Sequence, residues 1–269
     1  MACKAMKADD LKHVIRRSAL AFAKRRGLAV DESHSSAVMF TNVADSFHPE
    51  SYGNILKHPE WIDRTKKTHP NVRGAKEMQS SNSSDALLMN IFCHPFIGKW
   101  GGVRKLLEAD LDSIAFGFPA AVQLKSREAD RTEIDLAFSD TFCEAKLTES
   151  DFTQKRTSVV ENYVWLHEIF HSEALPLRGN DYDNYQLIRN LLASAQHGRK
   201  HMLLCDERRA DLVRRYMTTV SCLRDAGLRM KCRVIFWQEI LAECGESLRH
   251  WVEEKYGMGQ PSPTPSDQA

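Results

Sequence analysis

Hydrophobic and polar positions change their period near residue 119, and the change divides the chain into a helical first part and a mixed second part. Leu11, Val14, Ile15, Leu20 and Phe22 recur at helical spacing with charged residues between them, so residues 1–30 read as an amphipathic helix stopped by Gly27. From Asp31 to about Ser84 the chain is polar and punctuated by Pro49, Gly53, Pro59, Pro70 and Gly74, which predicts irregular structure with little helix. The serine-rich run ending at Ser84 is placed to cap a second helix over 85–92, and a third helix is predicted over 103–111.

Beyond Phe118-Pro119, short apolar runs predict strands at 120–125, 134–138 and 141–147, the last two joined by a tight turn at Ser139-Asp140. Helices follow over 159–170 and 185–195, a strand over 200–205, a long helix over 209–226, a strand over 231–238 and a final helix through Trp251. This order predicts an α/β (α+β) domain with a central mixed β-sheet flanked by helices. The expected organisation is an N-terminal helical and irregular extension (1–80), a core domain (81–258) and a tail (259–269) whose Pro/Ser composition is that of disordered chain.

Composition narrows the chemistry. With 42% hydrophobic residues and a net charge of +1, the chain has neither the makeup of a disordered segment nor the global basic footprint of a nucleic-acid-coating protein, so any polyanion site must be local. Its seven cysteines are odd in number, scattered and never in Cys-x-x-Cys, which argues against a disulfide framework and a thiolate zinc knuckle and fits a reducing cytoplasm. No secretory signal and no apolar run of about 18 residues is visible, so a soluble cytoplasmic protein without a membrane anchor is expected.

The residues that carry chemistry lie on two neighbouring predicted strands. Glu144 and Lys146, two apart, point to the same side of a strand, roughly 6 to 7 Å from one another. Asp135 falls on the strand next door. Two carboxylates held close repel unless a cation lies between them, and hard oxygen donors favour Mg²⁺ or Mn²⁺, which points to phosphodiester hydrolysis. A second Glu-x-Lys, Glu253-Glu254-Lys255, reads as a solvated face of the last helix.

The pattern Ile134-Asp135 … Glu144-Ala145-Lys146, in this order of elements, resembles the PD-(D/E)xK nuclease superfamily, the fold of many restriction endonucleases. Ser83 to Asn90 and Tyr185 to Ala193 are similar to segments of a restriction-endonuclease-like branch, and the likeness spans roughly 80–240. It implies Asp135 and Glu144 as metal ligands, Lys146 as the catalytic lysine, Mg²⁺ or Mn²⁺ as cofactor and DNA, double-stranded, as substrate. It further suggests endonuclease action, and the dimers common in such enzymes make a homodimer an expectation. Ile134 stands where the family's name has proline. Glu108 and Glu133 are the candidates for an additional acidic residue, and Gln186 and Arg189, three apart on one helix, for contacts to a phosphate or a bound water.

A competing motif is His167-Glu168-Ile169-Phe170-His171, a literal His-Glu-x-x-His that on a helix would bind Zn²⁺ as in a metalloprotease. Against it, Glu173 stands where zincins prefer an apolar residue, and a third ligand would have to come from Glu173, Asp181 or Asp183. A third reading is a nuclease-like fold that binds nucleic acid without cutting; the intact Asp135, Glu144 and Lys146 oppose it.

Overall fold

Gly27 ends the first helix, Ala8–Arg26, in the left-handed conformation (φ +63°) that glycine adopts without strain. The structure, a computed structural model, describes residues 5–259, so the predicted tail lies outside the described residues except for Gly259. The chain divides into two units. One comprises the residues up to Glu108, Asp206–Ala210 and the segment from Phe236 on; the other comprises Ala109–Cys205 and Asp211–Ile235. Residues 81–108, expected with the core domain, thus fall with the N-terminal segment.

In the first unit the Ala8–Arg26 helix packs on Glu246–Tyr256, with the rings of Phe22 and Trp251 5.2 Å apart edge to face. Ser83 caps the buried helix Ser84–Phe92 by accepting a hydrogen bond from the Ala86 amide at 3.0 Å. Segment 31–84 is less irregular than its composition predicts. Pro49 and Pro59 each start a seven-residue helix, Pro49–Ile55 and Pro59–Thr65, because proline at the first helical position gives up an amide that would have no partner there. Nor is Lys255 solvated. It is fully buried, donates to the Ser46 carbonyl at 2.6 Å and lies over the rings of Phe40, Trp251 and Tyr256.

The second unit is built on a five-stranded mixed sheet. Its strands along the chain are β1 (Ile114–Pro119), β2 (Glu133–Phe138), β3 (Thr141–Ala145), β4 (Lys200–Cys205) and β5 (Cys232–Phe236), in spatial order β5-β4-β3-β2-β1. β1, β2 and β3 form an antiparallel meander, and β4 pairs parallel to β3. The crossover between β3 and β4 carries a small three-stranded sheet and the helix Tyr185–Gln196, which packs on β3 and β4. Mixed sheet and flanking helices agree with the predicted fold class and with a restriction-endonuclease-like fold. No helix among the described residues is long and apolar enough to cross a membrane.

Three predicted elements are displaced. The first strand lies at Ile114–Pro119 instead of 120–125, where only Val122–Gln123 is extended, paired with Ala129–Asp130. The helix expected over 159–170 is broken into Thr157–Val160 and Leu166–Ile169. Between them the backbone turns to other partners: Val164 donates to the Gln123 carbonyl and Lys125 to that of Asn162. The helix expected over 209–226 ends at Ser221, and a separate turn, Ala226–Met230, starts from Asp225, whose carboxylate caps the Gly227 and Leu228 amides.

Candidate active site

β2 and β3 pair from Phe138↔Thr141 to Leu136↔Cys143, and the next step of the register sets Asp135 opposite Glu144. There the backbone ladder stops. The Ala145 amide donates to Asp135 Oδ2 at 2.9 Å, so the two strands part where the acidic residues lie. Lys146 follows the end of β3, tied to β4 by its own amide donating to the Leu204 carbonyl at 2.8 Å. Asp135 is half-buried, whereas Glu144 and Lys146 are 1% and 5% exposed.

The ammonium of Lys146 lies 2.8 Å from Glu144 Oε1 and donates to Gln186 Oε1 at 3.0 Å. Glu144 Oε2 accepts from Asn190 Nδ2 at 2.5 Å. Burial alone would raise the Glu144 carboxyl, but Lys146, with Arg189 and His201 adding smaller contributions, outweighs it and holds the group below the usual carboxylate range. Burial alone would equally favour a neutral Lys146, yet Glu144, Glu149 and Asp135 together push its pKa above that of an ordinary lysine. The pair is therefore ionised at neutral pH.

Of the residues expected at the site, Glu144, Lys146 and Gln186 are in direct contact, and Asp135, on the neighbouring strand, accepts the Ala145 amide and acts on the charge of Lys146. Arg189 joins them from the interior side. It is 4% exposed and directs its guanidinium to Asn190 Oδ1 and to the Glu133 carbonyl, so it is not aimed at a phosphate. Glu133 contributes that main-chain oxygen. Glu108 is an exposed left-handed cap of the helix Gly101–Leu107 and belongs to the other unit. Two more residues take part: Asn190, which lies in the segment similar to the restriction-endonuclease-like branch but carries no expected role there, and Glu149, which accepts from the Leu147 amide at 2.7 Å and acts on the charge of Lys146. The Gln186 to Asn190 spacing of four residues was a usable signal for the first; no local pattern marks the second.

The His-Glu-x-x-His segment lacks the helix that its chemistry requires. Leu166–Ile169 is a single turn, and Phe170 is extended and bridged to Leu223, so His167 and His171 do not share a helical face. His167 Nε2 lies 2.8 Å from Glu161 and its Nδ1 2.7 Å from the Ser172 hydroxyl, while His171 lies 3.4 Å from Glu173.

His201, on β4 beside Phe142, is fully buried, and its Nδ1 lies 3.0 Å from the Tyr216 hydroxyl. That hydroxyl donates to the His201 carbonyl, so Nδ1 carries the proton given to it, and the buried Nε2 accepts no hydrogen bond. Burial, opposed weakly by Glu144, lowers the imidazole from 6.5 to about 4. A lowered folded-state pKa means that this group's stabilisation is complete above pH 6.5 and is lost as the pH falls towards 4, by about 3 kcal/mol. Urea unfolding at pH 7 and pH 4 should show that His201→Phe, which keeps the ring stack on Tyr216, loses less stability on acidification than the wild type by about that amount. Equal losses would show that His201 is not the buried neutral group described.

No curated protein and no solved structure matched the chain. The family described as Restriction Endonuclease associating with ARP (REase-ARP) matches residues 16–257, nearly the whole length, and the chain belongs to this restriction-endonuclease-like family.

Proposed function

We propose that this protein is a nuclease of the PD-(D/E)xK type that hydrolyses DNA phosphodiester bonds with Mg²⁺ or Mn²⁺, as an endonuclease on double-stranded DNA. The observation that carries the reading is the ionised Glu144–Lys146 pair, 1% and 5% exposed, held opposite Asp135 where the β2–β3 ladder parts. Burying two charges costs several kcal/mol per ion, and an apolar pair of similar volume would hold the sheet as well, so packing does not account for the arrangement. Charged groups with displaced pKa values beside a half-buried carboxylate are what a hydrolytic site requires.

The donor set suits a hard cation. Mg²⁺ keeps several waters and is commonly held by one or two carboxylates together with substrate phosphate. Asp135 and Glu144 would be those two. Among the described residues no three His, Cys, Asp or Glu side chains gather as a metal-binding group, so a closed protein cage of the structural-zinc kind is not on offer. When bound, such an ion supplies charge stabilisation at the scissile phosphate and lowers the pKa of a coordinated water. Lys146, its ammonium 2.8 Å from Glu144 Oε1, would orient or activate the attacking water or neutralise charge on the phosphate. Gln186 accepts from the ammonium and fixes its direction.

The test is incubation of the purified full chain with supercoiled plasmid in Mg²⁺, in Mn²⁺ and in EDTA. Nicked or linear product in either metal and none in EDTA is expected. Intact plasmid under every condition, with DNA retained by the protein, would replace this reading with a noncatalytic DNA-binding one.

A further inference from the structure

Asn190 is fully buried in the interior of the helix Tyr185–Gln196, a place where asparagine is a poor helix former and where its amide must find partners. The partners are unusually informative. Oδ1 accepts from Arg189 Nε at 3.1 Å and from Arg189 Nη2 at 2.8 Å, while Nδ2 donates to Glu144 Oε2 at 2.5 Å. A guanidinium has only donors and a carboxylate only acceptors, so an amide between them has a single workable orientation. Arg189 in turn is tied by Nη2 to the Glu133 carbonyl at the start of β2, which fixes the guanidinium against the sheet.

Spacing makes this a two-point clamp. Residues four apart on a helix stand about 6 Å from one another, close to the separation of residues two apart on a strand. Gln186 and Asn190 therefore meet Lys146 and Glu144 one to one. Gln186 takes the ammonium, and Asn190 takes the oxygen of Glu144 that is turned from Lys146, which sets the rotation of the carboxylate about its own axis.

We propose that Asn190 is a positioning residue that presents the Glu144 carboxylate to a divalent cation, its amide fixed in turn by Arg189. This rests on the nuclease reading above, and it predicts an effect on cation affinity before any effect on chemistry. Groups that orient a metal-ligating side chain typically change affinity by about 10- to 100-fold when removed.

The experiment measures Mn²⁺ binding to the full chain from the electron-paramagnetic-resonance signal of free Mn²⁺, and plasmid cleavage as a function of Mn²⁺ concentration. Asn190→Ala should weaken Mn²⁺ binding by about 10-fold or more and raise the Mn²⁺ concentration for half-maximal cleavage in parallel, with a smaller change in the rate at saturation. Asn190→Leu is the discriminating variant. It restores the volume that Asn190→Ala removes but supplies neither the donor to Glu144 Oε2 nor the acceptor for Arg189, so it should bind Mn²⁺ no better than Asn190→Ala. A residue that merely fills space would regain wild-type Mn²⁺ affinity in Asn190→Leu. Should Asn190→Leu not fold, the split between affinity and saturated rate in Asn190→Ala decides alone. Mn²⁺ affinity within twofold of wild type in Asn190→Ala overturns the positioning role and leaves the nuclease reading intact. A wild type that neither binds Mn²⁺ nor cuts overturns both.

Discussion

Asp135→Ala should lose plasmid cleavage by about a thousandfold or more, because the change removes one of two carboxylates proposed to share a cation, and it should lower stability by about 1 to 3 kcal/mol, the cost of leaving the buried Ala145 amide without its acceptor. Asp135→Asn refines the result. Its amide oxygen can still accept from the Ala145 amide, which Asp135 does at 2.9 Å, so the local strand geometry is preserved and only the charge is lost. The expectation is that Asn is as inactive as Ala. Restored cleavage in Asp135→Asn would mean that the carboxylate serves as a strand tie and that the metal site lies elsewhere. Glu108→Ala supplies the contrast, since Glu108 caps an exposed helix end in the other unit and should leave cleavage unchanged.

The parts of this site that could be read from the sequence are those set by local periodicity. β2 and β3 alternate around a two-residue turn, so Asp135, Glu144 and Lys146 follow from the strand period of two. β4 is a bounded apolar run and is found where predicted. β1 was missed because Gly117, with φ +63°, and Pro119 punctuate Ile114-Ala-Phe-Gly-Phe-Pro as if it were a turn, and its partial burial at the sheet edge weakens the apolar signal. Residues 159–170 carry helix-compatible spacing, but their backbone bonds go to residues 123–125 and 222–224, a choice made by tertiary pairing that no window of sequence contains. Lys255 failed for the same reason. Its helical surroundings look solvated until Phe40, more than two hundred positions earlier, covers it. Asn190 shares a helix face with Gln186 by its four-residue spacing, but its pairing with Glu144, like the place of Glu149, depends on how a helix and a loop are laid against β3.

Lys146→Met should destabilise the protein by about 3 to 5 kcal/mol, the larger of the expected effects on folding, because it strands a carboxylate that is 1% exposed. For a unit of this size that is a fall in melting temperature on the order of 10 °C. The sign of its pH dependence identifies the cause. Without the ammonium, burial dominates and raises the Glu144 pKa, so the folded variant takes up a proton before the unfolded chain does, and the deficit relative to wild type shrinks as the pH is lowered from 8 to 5. A deficit that does not vary with pH would point to lost packing over Phe152 instead. Adding Glu144→Gln removes the uncompensated charge while keeping an oxygen that can accept from Asn190, and the double variant should recover most of the lost stability. It should also be inactive. A protein that folds nearly as well without its buried ion pair, and no longer cuts DNA, would separate the two uses of Glu144 and Lys146: the sheet does not need their charges, and the chemistry does.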